Sequence, residues 1–212
     1  MSFSLIFCSG ESIFSDASDT TEVVFGVYND ITKFGDGSGS GTGSSTITDN
    51  GDGTFTQSNS GSIIVSETSG YENYTVNLTA KVLSNNGYGI YLRMQDTSST
   101  NPDGYVFQID FGIGTRGGYR AVIFPGDSSI VANRMCTAGD TENPHCIDGD
   151  KQSYNIWHDV KIIVTGNNYK CYINNKLIYD FTDSTYSGGS VGIRTWNNGD
   201  NVTFKNFTVT QN

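Results

Sequence analysis

Positive charge is scarce in this sequence. Twelve Lys and Arg stand against 22 Asp and Glu, for a formal net charge of −10 and a pI near 4.4. A groove that tracks phosphates needs the opposite sign, so nucleic acid is excluded as a partner. No apolar run is long enough to span a bilayer, so no membrane insertion is expected. No stretch repeats apolar residues at helical period over a useful length, and no helix is expected either. The two histidines, His145 and His158, have no ligand spacing around them, and Cys136 and Cys146 stand too far apart for a zinc knuckle. The opening MSFSLIFCSG lacks the basic segment and the length of a secretory signal, and Phe7 sits where a lipoprotein cleavage box needs a small residue. If the protein is exported, its targeting segment lies outside this sequence.

Catalytic motifs are equally thin. A retaining glycosidase needs two carboxylates across a cleft, and the strand QID (108–110) offers one. There is no Gly-x-Ser-x-Gly elbow and no phosphate loop. The Gly-rich GIGTRGG (112–118) reads as a hairpin between strands. The expectation is therefore a protein that is not an enzyme.

What the chain does have is aromatic bulk and short β-runs. It carries 12 Tyr and 12 Phe in 212 residues, enough to fill a core between two sheets. Runs of alternating apolar residues recur at SLIFC, EVVFGVY, TFTQ, SIIVS, YTVNLTAKVL, GYGIYLRMQ, GYVFQIDFG and YRAVIFP. The last third adds runs punctuated by GNN (166–168), NNK (174–176) and NNGD (197–200), which predicts a closing antiparallel meander. Residues 1–212 thus read as one all-β domain. It carries a Gly/Ser-rich loop at 35–53, too polar to pack, and a Cys-bracketed loop at 126–154.

Cys136 and Cys146 bracket CTAGDTENPHC, where a local disulfide is expected, pointing to an extracellular or cell-surface location. Cys8 and Cys171 pair if their strands adjoin; otherwise Cys171 is a small buried hydrophobe. Asn73, Asn77, Asn201 and Asn206 each open an Asn-x-Thr sequon, on the wet side of a strand for Asn77. A chain rich in Asn and Thr also produces sequons by chance. Asp49 and Asp52 in DNGDG supply hard oxygen ligands suited to a structural Ca²⁺, as do Asp148 and Asp150 in IDGD. Asp-Gly is also the commonest turn dipeptide.

Several segments carry a family likeness. NGYGIYLRMQ followed by GYVFQID, then NIWHDVKIIVTGNNYKCYINNKLIYDF, then GGSVGIRTWNNGDNVTFKNFTVT resemble the concanavalin A-like, laminin G-like jelly rolls. The likeness is to their extracellular carbohydrate-binding and glycan-processing branch. It covers residues 70–212 well and 1–60 loosely. It implies a two-sheet antiparallel jelly-roll sandwich, an architecture shared by lectins, adhesion modules, hydrolases and lyases.

Face parity sharpens the reading. Tyr88, Ile90, Leu92 and Met94 share one face of their strand, and Tyr91, Arg93 and Gln95 the other. Gln108 and Asp110 oppose Tyr105, Phe107 and Ile109; Arg194 and Trp196 oppose Val191 and Ile193. If the mixed faces share one surface, Tyr91, Arg93, Gln95, Gln108, Asp110, Arg194 and Trp196 form a polar-aromatic platform. Aromatic rings stack on sugar C–H faces, and Arg and Asp bind hydroxyls in pairs. Cross-sheet pairing of Arg93 and Arg194 with Asp110 and Asp96 is the alternative. Trp157, opening the Val160–Ile162–Val164 run, belongs to the core or a sheet edge, and His158 beside it reads as a turn-side polar residue.

A carbohydrate-binding, lectin-like module with a glycan partner is the expected function. The alternatives are a self-assembling adhesive or pilin-like surface subunit and a polysaccharide hydrolase or lyase.

Overall fold

The computed structural model describes residues 32–33, 46–59, 63–65, 70–96, 102–114, 116–126, 128–136, 154–197 and 199–212. Among them the regular elements are all strands: β1 (Thr32–Lys33), β2 (Thr46–Asp49), β3 (Phe55–Ser58), β4 (Ile63–Val65), β5 (Tyr74–Ser84), β6 (Gly87–Met94), β7 (Gly104–Asp110), β8 (Gly118–Phe124), β9 (Ser128–Ser129), β10 (Arg134–Met135), β11 (His158–Thr165), β12 (Asn168–Ile173), β13 (Lys176–Thr182), β14 (Ser190–Thr195) and β15 (Asn201–Gln211). No helix of the described residues is long and apolar enough to cross a membrane.

The strands form two antiparallel sheets. One runs β1-β4-β14-β6-β7-β8-β10, with β9 on β8; the other runs β13-β12-β11-β5-β15-β3-β2. Alternation explains the second sheet directly. Tyr74, Val76, Leu78, Ala80 and Val82 of β5 point inward, as do Val160, Ile162 and Val164 of β11 and Tyr169, Cys171 and Ile173 of β12. They meet Tyr88, Ile90, Leu92, Tyr105, Phe107, Ile109, Val191 and Ile193 from the first sheet. Each such aliphatic side chain, fully buried, contributes roughly 1.5–3 kcal/mol before conformational entropy is subtracted.

Four bulges interrupt the described strand pairs, and two of them redirect the side chains around Asn206 and Arg93. In β15, Asn206 and Phe207 together oppose Leu78, with Asn206 at a left-handed φ of 53°. Phe204 and Phe207 therefore both face the core. In β6, Leu92 and Arg93 together oppose Val191, and Arg93 has a φ of 51°. This turns the Arg93 side chain away from the face that Tyr91 occupies and carries Met94 onto it, beside Tyr91 in a second apolar cluster.

The hairpin signals at 166–168 and 174–176 do join β11 to β12 and β12 to β13. Asn174 and Asn175 both take positive φ, the type I′ pattern. The meander ends there. β14 belongs to the other sheet and β15 returns between β5 and β3, so NNGD is a crossing between sheets. Asp200 shapes it: its carboxylate accepts the N–H groups of Trp196 (2.8 Å), Asn197 (2.8 Å) and Asn86 (2.9 Å). Part of the Gly/Ser-rich stretch also packs, since β2 pairs with β3 and Ile47 is buried. SLIFC and EVVFGVY lie outside the described residues.

His158 is a core residue, correcting its reading as a turn-side group. It is buried against Tyr88, whose hydroxyl lies 2.7 Å from Nε2. Trp157 is half-buried on the outer face of the seven-stranded sheet. Cys171 is a buried free thiol, its pKa pushed up by burial, so it does not pair with Cys8. Cys136 is buried and disulfide-bonded, with its partner outside the described residues.

Candidate functional site

The burial of β6, β7 and β14 is almost complete on both faces, unlike the half-wet strands of the opposite sheet. Their outer face is therefore occupied rather than open. Register explains what fills it. Arg194, Gly89, Gln108 and Arg120 stand side by side across β14, β6, β7 and β8. Gly89 leaves a gap in this row, and the Trp196 indole lies in it. A Cβ on Gly89 would come within 2.6 Å of Trp196 Cζ2 and 2.8 Å of Val106 Cγ1. Beneath the indole, the Arg194 guanidinium sits 4.1 Å from one Trp196 ring centroid and donates to the Tyr91 hydroxyl at 3.0 Å. Phe124 closes the stack, 5.7 Å from Trp196 and 5.8 Å from Tyr91 between centroids.

Beside this stack opens a pocket of 310 Å³, near the lower end of the range for small-ligand sites. Gln108, Asp110, Arg120, Asn86, Asn197 and Trp196 are among its walls. Asp110 Oδ1 accepts the Gly112 N–H at 2.9 Å, and its other oxygen faces Arg120 at 4.0 Å. Burial raises its pKa, opposed by those same partners. Gln108 is 4% exposed, and its amide makes no hydrogen bond among the described residues. A buried amide without a partner is costly unless something else satisfies it. Its donors and acceptor open into the pocket.

Of the seven residues predicted for the platform, the structure gathers five. Gln108, Asp110 and Trp196 line the pocket; Tyr91 and Arg194 are buried under Trp196. Arg93 and Gln95 are elsewhere, because the left-handed backbone at Arg93 flips the parity. Arg93 is 1% exposed and donates to the carbonyls of Tyr186 (2.6 Å), Glu72 (2.9 Å) and Gly166. Gln95 is exposed and ties down the carbonyls of Arg93 and Gly188. Arg194 forms no ion pair with an acid among the described residues. Sequence parity overlooked Arg120, although the alternation of YRAVIF, with Tyr119 and Ala121 inward, marks it as outward. Asn86 and Asn197 stand on turns, where no period exists to flag them.

The other predicted positions behave as local structure. Asp49 Oδ1 accepts the Gly51 N–H at 2.8 Å, and Asp52 Oδ1 accepts both the N–H and the hydroxyl of Thr54. Among the described residues no group of three or more His, Cys, Asp or Glu gathers to hold a metal. Asp148, Asp150 and Cys146 lie outside the described residues. The sequon amides are all engaged: Asn73 with Gly166 N, Asn77 with Thr208, Asn201 with Ser58 and Asn206 with Thr79.

Gly89→Ala is expected to lower stability by about 1–3 kcal/mol through overpacking and to push Trp196 out of its seat. A thermal melt and the near-UV circular dichroism of the indole check this; an unchanged Trp196 signal would show that the gap is not what seats it.

The sequence profile of one family, described as the 3-keto-alpha-glucoside-1,2-lyase-like domain, matches residues 30–210. No curated protein matches the chain. Among solved structures, the carbohydrate-binding module CBM66 of Bacillus subtilis is similar at a TM-score of 0.59 and 22% identity, covering 82% of this chain and 98% of that one. A β-glucanase of Bacillus licheniformis aligns at 0.60 and 14% identity, covering 91% and 98%. The VIP36 exoplasmic/lumenal domain, in its Ca²⁺/Man₃GlcNAc-bound form, aligns at 0.54 and 10% identity, covering 80% and 82%. At these identities the likeness establishes the fold, a concanavalin A-like jelly roll.

Proposed function

The chain belongs to the 3-keto-alpha-glucoside-1,2-lyase-like domain family, and on that premise we propose that it binds a glycan in the pocket beside Trp196. The observation that carries this reading is Gln108, a nearly buried amide whose polar atoms meet the pocket and no described protein group. A sugar hydroxyl is both donor and acceptor and satisfies such an amide at either end. Trp196 supplies a ring face, and Asp110, Arg120, Asn86 and Asn197 supply further hydroxyl partners. The volume suits one or two sugar units at a chain end. The disulfide at Cys136, which we pair with Cys146, supports an oxidising, extracellular setting.

A second reading is favoured by Asp110. It is the one carboxylate of the described pocket walls, its pKa is raised, and a guanidinium faces it. In a sugar oxidised to a ketone at C3, the C2 proton is acidic. A carboxylate removes it and a cation stabilises the resulting enolate; the enolate then forms a C1=C2 double bond as the C1–O bond breaks, and the carboxylic acid just formed returns the proton to the departing oxygen.

A glycan array, followed by incubation with a 3-keto-glucoside, tests both. Trp196→Ala is expected to weaken binding at least tenfold, measured at a temperature where a melt shows the variant still folded despite the lost packing on Gly89, Phe124 and Arg194. If Asp110→Asn abolishes cleavage while binding persists, the second reading holds; binding without cleavage leaves the first. A folded protein that neither binds nor cleaves overturns both.

A further inference from the structure

The outer face of the seven-stranded sheet carries a feature that the pocket does not use. Trp157 stands just before β11, half-buried, and two ammonium groups lie over its ring: Lys205 Nζ at 4.3 Å and Lys81 Nζ at 4.7 Å from the centroid. The two lysines come from adjacent strands, since Lys205 opposes Thr79 and Lys81 opposes Thr203 across the β5–β15 pair. Neither forms an ion pair within 4 Å among the described residues. The chain carries a net charge of −10, so carboxylates to neutralise them were abundant. Instead, two like charges converge on one indole. A cation over an indole is modestly favourable, but two together repel each other unless an anion joins them.

From this spot a shallow depression of 220 Å³ runs across β5, β11 and β15. Thr79, Asn77, Asn206 and Lys161 are among its walls, neutral hydrogen-bonding groups and a further cation. Asp159 also lines it, its Oδ1 occupied by the Thr79 hydroxyl at 2.8 Å. Asp52 lies in electrostatic reach of Lys81.

We propose that this face is a second binding site, for an acidic polysaccharide. A carboxylate or sulfate on one sugar would lie between Lys81 and Lys205 beside Trp157, and the neighbouring sugars would lie along the Thr79–Asn206 depression. The site lies on the sheet opposite the Trp196 pocket and is independent of it, so the chain would hold two glycan segments at once. Charge on the sugar is the shared chemistry; whether it is uronate or sulfate is a matter for the test.

The experiment is affinity electrophoresis of the full chain in gels cast with polygalacturonate, dextran sulfate or neutral dextran, with Lys81→Gln/Lys205→Gln, Trp157→Ala and Trp196→Ala variants alongside. The wild type is expected to be retarded by at least one acidic polymer and not by dextran. The lysine double variant and Trp157→Ala should bind at least tenfold more weakly, and Trp196→Ala should match the wild type. The responding polymer identifies the anion. No retardation by either acidic polymer, or equal retardation of the lysine double variant, overturns the proposal. The lysines are surface groups, so that variant is expected to keep its melting temperature, and the melt is run with it.

Discussion

Arg93→Met is expected to destabilise the folded chain by about 4 kcal/mol, the largest effect of any single polar substitution considered. The guanidinium is buried over the Tyr169 ring at 5.3 Å and reaches three carbonyls that belong to separate connections, at Glu72, Gly166 and Tyr186. Hydrogen bonds to a charged group contribute about 1.5–3 kcal/mol each, and a methionine leaves all three acceptors unpaired. Removing the desolvation cost of a buried charge offsets part of the loss. Arg93→Lys separates charge from geometry, since one ammonium cannot span the same three acceptors. It should recover less than half of the deficit in a urea titration. A methionine variant within about 0.5 kcal/mol of the wild type would show that water replaces the guanidinium freely.

The second large effect is on acid stability. Burial lowers the His158 pKa from its ordinary 6.5 to about 4, outweighing the Ile156 carbonyl and Asp159, which pull the other way. The unfolded imidazole takes its proton near 6.5 and the folded one near 4. Between these values the unfolded state binds the extra proton, so stability is full above pH 6.5 and lost as pH falls towards 4. At about 1.4 kcal/mol per pKa unit, the loss reaches about 3 kcal/mol. Asp110 and Asp200, whose pKa values are raised, act in the opposite direction in the acid range. Denaturant titrations at pH 7, 5.5 and 4.5 on the wild type and on His158→Gln isolate the imidazole. Gln keeps an acceptor for the Tyr88 hydroxyl, and its stability should vary less with pH by that amount. Parallel pH profiles would remove His158 from the account.

Much of the sandwich is legible because apolar alternation is unbroken in β5, β7, β11 and β12, where the period of two fixes which side faces the core. The same period carries Gln108, Asp110, Arg194 and Trp196 to one surface. It fails where a single residue adopts left-handed backbone. No local signal marks Arg93 for that conformation; it is imposed by three distant carbonyls that a sequence does not bring together. The Gly89 gap is invisible for a related reason, because a glycine in a strand declares no partner until Trp196 is folded over it. The NNGD signal misled because Asn-Gly turns serve hairpins and corners alike. What distinguishes them here is Asp200 reaching the N–H of Asn86, more than a hundred residues earlier.

That Asp200 corner also sets the order of events during synthesis. The strands β6, β7 and β8 adjoin in sequence and can pair as soon as they emerge. The pocket they border has Phe124 but lacks its Trp196 wall until residues 196–200 are made, because one carboxylate pins Trp196 and Asn197 to the turn at Asn86. A nascent chain stopped before residue 196 would carry β6, β7 and β8 without the indole that packs on them. The indole is thus made after every residue it packs on, from Gly89 and Phe124 to Arg194.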